Sequence, residues 1–408
     1  MKLSKHSKKI LSLLKYQFKY SIPISGRAKE CMREIYHDIL DSYKNLEELK
    51  KRHQDVHIQK IMNIYEIPKP KFFNANSFPI EIRRYIDNTV VLQISFSLRL
   101  FERNVKVHFM TEETNVENNV KKYRKYMDLI LMWMCILNKY AYKSCSKNIV
   151  IYLYFTPLEK RIPVTSIDIL DEIHVNSAFT STCPADSEII IFRKEEWFKV
   201  FIHETFHSFG LDFSNMNNQK CNEKILQLFD VNSEVKLYES YTETWAEIIN
   251  CAFCSFLLIE NKSEEKFMRS FNILIELERK YSFMQMVKTL DFMGIEYKDL
   301  YLKESILRKT MYKEKTSVLA YYIIKCILMN NYSGFLSWCD KNNSSLLSFK
   351  QTPSNLLEYC KFVEANYKTP RMLNEVRETV ILLRKLREYP KENKFLLTNM
   401  RMSACELE

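Results

Sequence analysis

The chain has 408 residues, 46% of them apolar, and a net charge of +11. That is ample material for globular cores in roughly two to three domains, and it excludes a mostly disordered chain. The 61 basic residues are scattered among 50 acids, so a mixed-charge surface is expected and sequence-specific nucleic-acid binding is not. No uninterrupted apolar run reaches the ~18 residues that a bilayer span needs, so no transmembrane segment is predicted. The eleven cysteines fit no short disulfide framework. The expectation is a reducing compartment, hence an intracellular, cytoplasmic protein that is not secreted.

The N-terminal stretch MKLSKHSKKILSLLKYQFKY is basic, with no acid before Glu30. Its apolar centre is too short for a signal peptide, and it reads as a basic helix or a frayed start. The segment from Ala28 to Tyr65 has apolar residues at roughly helical spacing, and Pro68 and Pro70 end it. Residues 1–84 are therefore expected to form an N-terminal helical region.

The pattern then changes. Thr89–Leu100 and Asn104–Met110 alternate and are rich in β-branched residues, which predicts two strands joined as a hairpin. Asn115–Tyr142 carries Tyr126, Leu129, Ile130, Trp133 and Ile136 on one side, the mark of a long helix. The short apolar runs NIVIYLYF (148–155) and EIIIF (188–192) predict two buried strands. EEWFKVFIHETFHSFG returns to the helical period, and a further helix over Ser233–Ile259 carries ESYTETWAE. From about residue 262 the chain reads as helical again, which makes residues 261–408 a C-terminal helical region. The expected class is α+β, dominated by helix, with a small mixed sheet within residues 85–195.

Within FIHETFHSFG, His203 and His207 stand four residues apart, on one face of a helix about one turn from each other. Two imidazoles so placed can bind one zinc ion. Glu204, turned about a third of a revolution away, can stand beside the metal-bound water and take its proton. This is the HExxH logic of zinc peptidases. Gly210 follows where the helix could end in a left-handed cap. The other motif with ligand spacing, Cys251 and Cys254 in INCAFCSFLLI, lies in an apolar run with no second pair, and reads as buried free thiols.

The segment resembles the zincin metallopeptidases, and the strand–helix order over about residues 85–260 resembles their catalytic domain, a small mixed sheet with a backing helix and an active-site helix. The resemblance implies one Zn²⁺ cofactor, a peptide or protein substrate, and a third metal ligand that divides the family. A metzincin would place a histidine at position 213, where this chain has Phe213, with Asp212 one residue early. A gluzincin takes a glutamate from a downstream helix, and Glu239, Glu243 and Glu247 stand in line at intervals of four. The ETWAE run is similar to the gluzincin pattern. It implies Glu243 as ligand and Glu247 as the carboxylate that orients a zinc-bound histidine, with Glu239, Glu247 or Asp212 as alternative third ligands. The family's edge strand, which pairs with an extended peptide, would be EIIIF. HVNSAFT (174–180) would belong to the cleft rim. Tyr321 or Tyr322 would stabilise the oxyanion. The alternatives are a zincin-fold protein that does not cut, such as a structural or virion-associated component, and a basic membrane- or nucleic-acid-associated scaffold.

Overall fold

A computed structural model of the chain describes residues 2–14, 24–51 and 55–408. In chain order the elements are α1 (Lys5–Leu14), α2 (Gly26–Lys44), α3 (Leu46–Lys51), β1 (Asp55–Lys60), α4 (Ile80–Thr89), β2 (Leu92–Leu100), β3 (Arg103–Thr111) and α5 (Val116–Tyr140). Then come β4 (Asn148–Thr156), α6 (Glu172–Val175), β5 (Ala178–Thr180), β6 (Asp186–Arg193), α7 (Trp197–Ser208), α8 (Gln219–Leu228), α9 (Leu237–Leu258) and α10 (Glu264–Phe292). The remainder is helical, and includes α11 (Leu307–Thr310), a π-helical turn at Leu319–Ile324, α12 (Lys325–Asn330), α13 (Tyr332–Asn342), α14 (Pro353–Asn366), α15 (Pro370–Glu388) and α16 (Lys394–Thr398). The fold is α+β and helix-dominated, with one open six-stranded mixed sheet. The basic helix expected at the N-terminus is α1, which buries Ile10 and Leu14; the part of that expectation from residue 15 to 20 lies outside the described residues.

Two compact units make up the chain. One comprises residues 34–159 and 176–211 and holds the whole sheet, in the order β1-β2-β3-β4-β6-β5. β2 and β3 form the expected antiparallel hairpin, β4 pairs parallel with β3 and β6, and β5 pairs antiparallel with β6. Side chains alternate across the sheet. On one face Phe109 stacks on Tyr123 of α5 at 4.5 Å, and Tyr126 of α5 stacks on Trp197 of α7 at 4.7 Å. The indole N–H of Trp133 donates to Thr205 Oγ1 at 2.8 Å, which fixes α7 along α5. On the other face Glu188 accepts from the backbone N–H groups of Lys71 and Phe72, at 2.8 and 2.9 Å, and Tyr154 donates to the Pro68 carbonyl at 2.6 Å. Those bonds strap the proline-rich segment over the sheet and satisfy a buried carboxylate.

Two expectations need correction here. Helix was predicted to run on to Tyr65, but Asp55–Lys60 is a strand that pairs antiparallel with β2. DVHIQK fits either period; the open edge of β2 supplies the backbone partners that decide it. EIIIF was predicted to be the edge strand. It is β6, an inner strand between β4 and β5, and the edge is β5, from the HVNSAFT segment.

The other unit comprises residues 1–33, 160–175 and 212–408. Its centre is α9 packed on α10. Every residue of α9 from Ser240 to Phe256 is buried, as is the run from Leu274 to Leu290 of α10; helices buried all round belong to the core of a large unit. The C-terminal segment returns across this core. Asn250 donates to the Cys405 carbonyl at 2.8 Å, and Ser4 N–H donates to the Glu406 carbonyl at 2.8 Å.

Two disulfides are present among the eleven cysteines. Cys145 is bonded to Cys183, and Cys221 on α8 to Cys360 on α14. Sequence separations of 38 and 139 residues leave no spacing signature to read. Seven cysteines remain as thiols. Alkylation of the denatured, unreduced protein followed by intact-mass measurement should therefore label seven cysteines; eleven labels would mean that neither bond forms.

Candidate metal centre

Helix α7 carries the HETFH motif, and all twelve of its residues are buried. Trp197 at its start packs on Tyr126 and, at 5.6 Å, on Phe155. Its end is a Schellman cap: Gly210 N–H donates to the His207 carbonyl at 3.0 Å and Leu211 N–H to the Phe206 carbonyl at 2.8 Å, with Gly210 at φ +71°. The left-handed cap expected from the sequence is present. Glycine is needed there twice over, because an added Cβ would stand 3.0 Å from Tyr142 Cδ2 and 3.2 Å from Cys145 Sγ.

The same end of the helix is held by the loops that the Cys145–Cys183 bond joins. Cys183 N–H donates to the His207 carbonyl at 3.0 Å, and Ser146 Oγ to the Ser208 carbonyl at 2.7 Å. The last carbonyls of a helix have no partner within it. Here the disulfide loops supply donors to them, beside one of the two histidines.

His203 and His207 are 5% and 7% exposed and Glu204 is 7% exposed. The two rings stand edge to face, with centroids 4.9 Å apart, and their Nε2 atoms are 3.1 Å from each other. Two nitrogens on one tetrahedral zinc, each at ~2.0–2.1 Å, lie roughly 3.3 Å apart. The observed spacing is close to that, so the pair fits a shared cation without moving the helix.

No protein-family model, characterised protein or solved structure matches the chain.

The downstream glutamates lie on α9, in the other unit. Glu239 is in the first turn and half-buried, whereas Glu243 and Glu247 are deep in the helical core, 1% and 0% exposed. Glu247 pairs with Lys325 Nζ at 2.7 Å, and Ser282 Oγ bonds to both, at 3.4 Å from the carboxylate and 3.0 Å from the ammonium. Burial pushes the Glu247 carboxyl up, against the pull of Lys325. Burial works to lower the Lys325 ammonium, but Glu247 and Glu243 beside it outweigh that and hold it above its ordinary value. Glu247, expected to orient a histidine, thus has a buried lysine as its partner. Lys325 did not figure in the sequence reading; a single lysine inside the apolar run YYIIKCILM was the signal for it.

The remaining candidates have structural partners. Asp212 accepts from Ser214 N–H at 3.1 Å, Ser214 Oγ at 2.7 Å and Thr242 Oγ1 at 3.2 Å, which ties the loop after α7 to α9. Tyr322 is buried and donates its hydroxyl proton to the Met400 carbonyl at 2.7 Å. Tyr321 is half-buried in the same π-helical turn, an element frequent at functional sites. His174 Nδ1 accepts from Asp171 N–H at 3.1 Å, closing a turn.

Among the described residues no helix is long and apolar enough to cross a membrane.

Proposed function

We propose that the protein is a zinc-dependent peptidase of the HExxH type, in which His203 and His207 hold the metal with a downstream glutamate as third ligand and Glu204 is the general base. The observation that carries this reading is the paired Nε2 atoms of His203 and His207, 3.1 Å apart on a fully buried helix with Glu204 between them. A cation satisfies both imidazole lone pairs at once. Two imidazoles and one carboxylate are a donor set for catalytic zinc, with one position left open for water.

Of the downstream glutamates we favour Glu239 as third ligand over Glu243, which the gluzincin resemblance implied. Glu243 lies beside the Glu247–Lys325 pair in the core of its unit, whereas Glu239 stands in the half-buried first turn of α9. Zinc, when bound, would polarise a substrate carbonyl and lower the pKa of its water toward ~7. Glu204 then takes the proton of the attacking water and returns it to the leaving amine. The substrate of this reading is an extended peptide that adds to the open edge of β5. An intracellular location belongs to the same reading.

Metal analysis tests the ligand set. Protein prepared without a metal-affinity tag should lose one equivalent of zinc in His203→Ala and in Glu239→Gln, and keep it in Glu243→Gln. Zinc unchanged in His203→Ala would remove the metal centre. Zinc lost in Glu243→Gln but not in Glu239→Gln would return the third ligand to Glu243.

A further inference from the structure

A second group of metal-binding side chains lies wholly within the helical unit, and the peptidase reading makes no use of it. Cys251 of α9, Glu278 of α10 and Cys405 of the C-terminal segment each present one donor atom, and the three atoms lie within 4.8 Å of one another. All three residues are at most 1% exposed. Cys254 stands one helical turn from Cys251 on the same face and is equally buried. Both lie close enough to Cys405 and Glu278 that these, after burial itself, are among the groups that push the two thiols up.

We propose that Cys251, Cys405 and Glu278, with Cys254 as the fourth donor, form a zinc site that fastens the C-terminal segment to α9 and α10. The donor chemistry points to a thiophilic cation of this kind. Thiolates select zinc over magnesium or calcium, and a closed set of four protein donors is the arrangement of structural zinc. The backbone around the site is already ordered as such a site requires. Glu278 accepts from Ser403 Oγ at 2.5 Å, Ala404 N–H at 2.7 Å and Cys405 N–H at 2.7 Å. These bonds orient the carboxylate and spread its charge, as the partners of metal-binding carboxylates do. They also hold Cys405 against α10. Asn250, one residue before Cys251, grips the Cys405 carbonyl from α9. A zinc ion would neutralise half of the charge of the deprotonated donors and cross-link residues 251, 278 and 405. The chain's first residues are held with it, because Ser4 and Lys2 pair with Glu406 and Glu408.

The site is separable from the histidine pair by experiment. In the double variant His203→Ala/His207→Ala, expressed with zinc in the medium and purified without a metal-affinity tag, one equivalent of zinc should remain. Its X-ray absorption fine structure should show sulfur neighbours at about 2.3 Å. Adding Cys405→Ser should remove that equivalent. A folded double-histidine variant that carries no zinc, or zinc with only nitrogen and oxygen neighbours, would overturn the proposal. Because the absorption measurement is made without touching the cysteines, it decides even if Cys405→Ser fails to fold. A wild type whose only zinc disappears with the histidines would sink this site and leave the peptidase reading standing. The reverse result, sulfur-bound zinc alone, would do the opposite.

Discussion

Replacing Glu204 by Gln is expected to lower peptide-bond hydrolysis by a factor on the order of 10²–10⁴, the usual range for loss of a general base. Zinc content and thermal stability should stay close to wild type. The residue follows His203 on a buried helix, and the amide keeps its shape while losing the proton acceptor. A substitution at a ligand behaves otherwise, since His203→Ala should lose metal and activity together. The assay is cleavage of an unbiased peptide library, read by mass spectrometry. Equal cleavage by wild type and Glu204→Gln would assign the activity to another site or a contaminant. Zinc bound in both with no cleavage by either would favour the non-cutting zincin alternative.

Lys325→Met should destabilise the protein by about 3–5 kcal/mol, because it leaves Glu247 as an uncompensated buried charge with Glu243 nearby. Both members of the pair are fully buried, so solvent screening does not soften the loss. Replacing both, in Glu247→Leu/Lys325→Met, should recover most of it, since a well-packed apolar pair avoids the desolvation cost that the ion pair carries. Chemical denaturation of the three variants measures the difference. A cost below about 1 kcal/mol for Lys325→Met alone would mean that the pair contributes no more than a surface one. The same variants bear on the site. Zinc content should be unchanged in the double variant; a specific loss of zinc there would restore to Glu247 the histidine-orienting role that the gluzincin resemblance implied.

Much of the sheet unit was legible in the amino-acid order. The β2–β3 hairpin, the long helix α5, strands β4 and β6 and the HETFH helix with its Gly210 cap all occur within a few residues of where periodicity placed them. These are local signals. A period of two or 3.6, or a glycine at a helix end, is written in adjacent residues and survives packing because the packing uses it. The His203–Glu204–His207 geometry belongs to the same class, since an i,i+4 spacing on a helix puts two side chains on one face whatever surrounds it.

What only the tertiary structure decided are the choices between partners far apart in the chain. DVHIQK became a strand because β2 offered an edge. Ala178–Thr180, too short to carry a period, became the outer strand in place of EIIIF. Four cysteines found partners 38 and 139 residues away. Three in-line glutamates on α9 are alike in sequence, yet Glu247 met Lys325 across 78 residues and sank into the core, while Glu239 stayed half-buried at the helix end. Local sequence sets which atoms a residue can offer. Which of its possible partners it meets, and how deeply it is buried when it does, depends on the summed packing of elements that share no local code.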